Sequence, residues 1–129
     1  MPANIDVKTN TRVDMVDITS SVQKEISRAG VQDGICMVYV PHTTAGVTIN
    51  EGADPSVCHD VMNKLNELVP RDAGYRHREG NSDSHIKASL MGSSVMVMVE
   101  GGRLVLGTWQ KVFFCEFDGP RSRRVYVKI

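Results

Sequence analysis

Ser94-Val95-Met96-Val97-Met98-Val99-Glu100-Gly101-Gly102-Arg103-Leu104-Val105-Leu106 is the stretch on which the fold turns. A valine-rich apolar run enters Glu-Gly-Gly-Arg and leaves as a second apolar run, the pattern of two antiparallel strands joined by a tight turn. Downstream, Lys111 to Phe117 reads as a strand stopped by Asp118-Gly119-Pro120. Arg124 to Ile129 then alternates, with Val125, Val127 and Ile129 on one face. Upstream, Ile35 to Val40 is apolar enough for a central strand, and Gly46 to Asn50 forms another. Ile5 to Thr9 and Arg12 to Val16 are expected to pair as an opening hairpin.

Two helices interrupt the strands. Ser20 to Ala29 carries Val22, Ile26 and Ala29 on one stripe, with Ser20 and Gln23 as a capping box and Gly30 as its stop. The second follows Asp54-Pro55, buries Val57, Val61, Leu65 and Leu68, and ends at Pro70. Short turns between strands, without repeated strand–helix alternation, predict a largely antiparallel sheet. The expected fold is α+β: a β-rich, sandwich-like single domain over residues 1–129 with two main helices.

Composition narrows the function. Forty-one per cent of the 129 residues are apolar but only five per cent aromatic, so the seven methionines and many valines must fill the core. Fifteen basic and fifteen acidic residues cancel, giving no overall attraction to nucleic acid or membrane. Charge is uneven only at the end, where Arg121, Arg123, Arg124 and Lys128 stand without an acid. Three scattered cysteines, Cys36, Cys58 and Cys115, fit a reducing compartment, and no signal peptide opens the chain; a cytoplasmic location is expected.

Chemistry concentrates in four places. His42-Thr43-Thr44-Ala45-Gly46 follows a strand and presents a ring and two hydroxyls; an ordinary turn would look the same. Glu51 and Asp54 lie beyond the next short strand, where acids also complement a helix N-terminus. Tyr75 to Lys87 is a long polar stretch with His77, Glu79, Asp83, His85 and Lys87, a functional or disordered loop. Gly107-Thr108-Trp109-Gln110 sets the single tryptophan in a turn, where it could stack on a flat heterocycle instead of joining the core. Arg121 or Arg123 after Asp118-Gly119-Pro120 could hold a phosphate, assisted by Lys87. His42, His77 and His85 could share a zinc ion, although no His-Glu-x-x-His spacing compels it. His59, beside Asp60, reads as a solvated or interface pair. Phosphate loops, dinucleotide-binding glycine motifs, nucleophile elbows and paired Cys-x-x-Cys motifs are absent.

Three segments in order carry a family likeness: His42 to Glu51 with Asp54-Pro55, Ser84 to Gly92, and Gly107-Thr108-Trp109-Gln110 followed by Glu116 and Arg121 to Arg124. Together they resemble the YjbQ-like family, also called the secondary thiamine-phosphate synthase family, over most of the chain. Residues 78 to 83 depart from the more acidic run of some relatives. The resemblance implies a homotrimer whose polar site binds a small phosphorylated molecule. Glu51, His85, Lys87 and Gln110 would act on the substrate; Thr43, Thr44, Thr108, Trp109 and Arg121 would bind it. His42, His77 and His85 would hold a divalent metal, zinc or magnesium. The implied activity couples a pyrimidine diphosphate to a thiazole phosphate and expels diphosphate. A dedicated enzyme of that name resembles a β/α barrel, typically of ~250 residues, so here the activity would be a secondary one.

Two readings stand side by side. One is a small metabolic enzyme acting on phosphorylated heterocycles. The other is a non-catalytic, trimeric metal- or ligand-binding protein. The backbone at 85–87 bears on the first: an extended chain would aim His85 and Lys87 at one ligand, and a helix would part them.

Overall fold

The computed structural model describes residues 2–129. Its chain order is β1 (Ala3–Lys8), β2 (Asp14–Asp17), α1 (Thr19–Ala29), β3 (Gly34–Tyr39), β4 (Ala45–Glu51), α2 (Pro55–Leu68), α3 (Ser82–Met91), β5 (Ser94–Glu100), β6 (Arg103–Leu104), β7 (Gln110–Glu116) and β8 (Ser122–Lys128). This is an α+β fold with every strand pair antiparallel. Five strands form one sheet in the order β1-β8-β3-β5-β6, and three form another in the order β2-β7-β4.

The two sheets face each other across the main core. Ile5, Val7, Val38, Val125 and Val127 of the larger sheet meet Ala45, Val47, Val112 and Phe114 of the smaller. Val22 and Ile26 of α1 close that core at its side. Strand β7 alternates between two buried faces, since Phe113 and Cys115, with Phe117 just beyond, pack the other way against Met62 of α2 and Ala88 of α3. The smaller sheet is thus a middle layer, covered on one side by strands and on the other by helices.

The strands at 94–104 pair as expected, Val99 with Leu104 and Glu100 with Arg103. The opening hairpin does not form. β1 pairs with β8 from Ala3↔Val127 to Lys8↔Ser122, and β2 pairs with β7 in the other sheet. Partners from the other end of the chain supply the ladders that a two-strand hairpin could not.

Helix details also shift. The Ser20–Gln23 capping box is replaced by Asp17, whose Oδ1 accepts from the Thr19 amide at 3.0 Å, while Gln23 reaches across to β6. In α2 Asp54 accepts from the Ser56 amide at 3.0 Å, with Pro55 at the first position. Its most buried residue is Met62, and Leu68 is exposed, so the buried stripe is rotated from the expected one. A third helix, α3, occupies residues read as loop and apolar segment. Asn81 and Gly92 bracket it, and its buried residues are Asp83, Ser84, Lys87 and Ala88.

Candidate functional site

His42 lies in the bend between β3 and β4, and its Nε2 accepts the Arg124 amide at 3.0 Å. A ring nitrogen that accepts cannot carry the proton, so the neutral ring is protonated at Nδ1. Burial, then the Arg123 charge, lowers the pKa of His42 below the ordinary histidine value. The ring is therefore a neutral donor near pH 7.

His85 reaches the same place from α3. The C-terminal end of α3 is locked to β4 because the Val47 amide donates to the Gly92 carbonyl at 3.0 Å. Gly46 allows this approach: a Cβ there would stand 2.6 Å from the Gly92 oxygen. The result is a cavity of about 400 Å³ walled by His42, Thr43, His85, Ser89 and Ser93. His85 also borders a second, more apolar recess of about 430 Å³ with Tyr75, His77 and Ile86. There His77 meets His85 edge-on, with ring centroids 5.4 Å apart. His85 is thus the partition between a polar cleft and an apolar one, suited to a ligand with a ring at one end and polar groups at the other.

Other expected residues are engaged elsewhere. Residues 82–91 are helical, so His85 and Lys87 point about 200° apart around the axis. Lys87 is 2% exposed, donating to Asn66 Oδ1 at 2.7 Å and to Asp83 Oδ2 at 3.1 Å. Its expected roles on substrate and phosphate are withdrawn. Thr44 is buried, and its hydroxyl accepts from Arg123 at 2.9 Å, facing the core and not a ligand. Arg121 folds back on Asp118, donating to its carbonyl at 2.8 Å and its carboxylate at 3.1 Å. His59 is exposed beside Asn63, its Nε2 lying 2.9 Å from the amide.

Glu51, Thr108, Trp109 and Gln110 gather at the far end of the β4–β7 ladder, where Glu51 lies opposite Gln110. Six residue steps of extended chain put them about 20 Å from the His42 bend. The Gln110 side chain closes its own turn by accepting the Gly107 amide at 2.8 Å. Trp109 is 62% exposed, so the tryptophan is a surface ring and not core. The expected site is therefore divided in two within one chain. For a metal the donors do not fit: among the described residues, no three histidine, cysteine or acidic side chains come together to hold one.

Two buried charge clusters, whose pairing the sequence does not reveal, hold the elements around the cleft. Asp83, fully buried, is clamped by Arg12 at 3.0 and 3.2 Å as well as by Lys87. Burial alone would raise its carboxyl, but Arg12 and Lys87 outweigh this and hold it below the usual range. Behind His42, Glu116 and Arg123 form a buried ion pair with Thr9 donating to Glu116 at 2.7 Å. Ser89 could have been found once α3 was seen, since it sits four residues from His85 on one helical face.

The fold and cleft define a β-rich α+β protein with two recesses that share His85 as a wall. The sequence matches the family model described as UPF0047 protein YjbQ-like over residues 3–129, and the chain belongs to that family. It is 56% identical over 123 residues to a UPF0047 protein of Methanocaldococcus jannaschii, covering 95% of this chain and 89% of the relative. It is 47% identical to UPF0047 protein YugU of Bacillus subtilis, covering 100% of this chain and 98% of that one. Among solved structures it resembles an uncharacterized conserved YjbQ/UPF0047 family protein of Clostridium acetobutylicum, with TM-score 0.97, 51% identity and 98% of each chain covered. It also resembles a conserved hypothetical protein of Thermus thermophilus, with TM-score 0.92, 44% identity and 98% of each chain covered.

Proposed function

We propose that this protein is a small metabolic enzyme that handles a phosphorylated heterocyclic substrate in the cleft between His42 and His85. The observation that carries the reading is that His85 lines both recesses and His42 faces it as a neutral donor. The substrate ring enters the recess of Tyr75 and Ile86, and its polar end meets Thr43, Ser89 and Ser93. His42 orients through Nδ1–H, and His85 moves the proton. With Lys87 and Arg121 engaged internally, the cation nearest a departing phosphate is Arg124, which lines the recess on the other side of His42. The finer reading is transfer of the thiamine-phosphate-synthase type. No step is routed through a metal, because the donors of one chain do not fit one. The three free cysteines, two of them buried, agree with a reducing cytoplasm, and no helix among the described residues is long and apolar enough to cross a membrane.

The test is turnover of a pyrimidine diphosphate with a thiazole phosphate by wild type and His85→Ala. Loss of ~10²- to 10⁴-fold in rate is expected in the variant, with an unchanged melting temperature. Equal rates in the two proteins would end this reading.

A second reading, a non-catalytic homotrimeric ligand-binding protein, is favoured by the outer face of the five-stranded sheet. Ile35, Met37 and Tyr39 of β3 and Met96 and Met98 of β5 are all exposed there, the last two at 70% and 62%. A contiguous apolar face of this kind suits a second and third copy of the chain closing on one another. Light scattering is expected to give three times the chain mass, falling to one for Met96→Glu/Met98→Glu. A monomeric wild type would remove the trimer.

A further inference from the structure

A second cavity lies between α1 and the β6–β7 segment, and it shares no lining residue with the His42–His85 cleft. Its volume is about 450 Å³. Three cations line it, each from a different element: Lys24 from α1, Arg103 from β6 and Lys111 from β7. No carboxylate shares the lining, and none of the three cations has an ion-pair or hydrogen-bond partner among the described residues.

The setting is rigid. Gln23 clamps the helix to the hairpin, accepting the Leu104 amide at 3.0 Å and donating to the Gly102 carbonyl at 2.9 Å. The Lys111 stem runs over Gly52, where any Cβ would collide with it. Asp17 takes the amide and hydroxyl of Thr19, and Glu100, which pairs in register with Arg103, forms no ion pair with it. Three positive charges from positions 24, 103 and 111 line one cavity, and an anion there is attracted to all three. An Arg fork flanked by two lysines suits the oxygens of a phosphate group.

We propose that this cavity binds a small phosphate-bearing anion, separately from the His42–His85 cleft. Lys24, Arg103 and Lys111 supply the charge, and the hydroxyl of Ser20 lines the rim beside them. The cavity falls within the range that takes small metabolites.

Calorimetric titration of the full chain with inorganic diphosphate at low salt tests this directly. Wild type should bind, and binding should weaken as sodium chloride is raised. Lys24→Ser and Arg103→Ser should each weaken it about tenfold, with melting temperatures unchanged because both side chains are exposed. His42→Asn/His85→Ala should bind as wild type does, which separates this site from the proposed enzymatic cleft. Absence of binding to wild type would overturn the proposal. So would full affinity in a Lys24→Ser/Arg103→Ser double variant, or loss of binding confined to the histidine variant.

Discussion

Arg123→Met is expected to cost about 3–5 kcal/mol, a large share of the stability of a chain this size. Glu116 is completely buried between the sheets, and Arg123 donates to both of its oxygens, at 2.9 Å through Nε. Thr9 and the amides of Phe117 and Asp118 would remain, at 2.7, 3.1 and 3.1 Å, but the charge would stay uncompensated. Burial would raise the Glu116 carboxyl, yet Arg123, Thr9 and the Asp118 amide outweigh it and hold it below the ordinary value. A depressed carboxyl stabilises the fold above its unfolded pKa of about 4.3, and that contribution fades as pH falls through the lower folded value. Urea melts should therefore show wild type losing stability below about pH 4. The gap between wild type and Arg123→Met should narrow over the same range, because wild type loses its ion pair as Glu116 takes up a proton. A variant as stable as wild type at pH 7 would contradict the role assigned to the pair. Replacing both residues by apolar ones should recover much of the loss.

Gly46→Ala is the other change with a large expected effect. Its new methyl would press on the Gly92 carbonyl at 2.6 Å and the Met91 Cβ at 3.2 Å. The first obstacle is backbone, so no rotamer change relieves it. α3 must slide away from β4, breaking the 3.0 Å bond from the Val47 amide to Gly92. A penalty of about 3 kcal/mol is expected. Because Gly92 lines the His42–His85 cleft, that cleft deforms with it. A thermal melt matching wild type would show that the contact yields more easily than the geometry implies.

The sequence made some elements plain and hid others for identifiable reasons. The valine-rich hairpin at 94–104 and helices α1 and α2 announce themselves by apolar spacing and by Gly30 and Asp54-Pro55. α3 does not, because its buried face is Asp83, Ser84, Lys87 and Ala88 while Ile86 and Leu90 point to solvent. A polar inward face reverses the usual signal, and Asp83 is tolerated there because Arg12, from the segment before β2, and Lys87 both pair with it. The first two strands look like a hairpin because they are close in sequence; their true partners, β8 and β7, lie at the other end of the chain. The same distance hid the site. His42 and His85 were both visible as residues, but their shared cleft depends on α3 docking beside β4. Lys87 was misread for want of the helix. Lys24 and Lys111 belong to no motif with Arg103, and only the fold brings the three to one cavity.

The strand orders also govern how the chain can mature. β8 sits between β1 and β3, and β7 between β2 and β4. Each sheet is therefore joined through a strand made late in synthesis. A nascent chain that has emerged only as far as Leu106 holds β1 and β2 without either of their ladders, and β4 without a neighbour in its sheet. Their unpaired edges wait for β7 and β8, an interval during translation when such strands invite aggregation. Pairing of β1, β2 and β4 thus waits on β7 and β8, whereas the β3–β5–β6 ladder needs neither and is free to form before them.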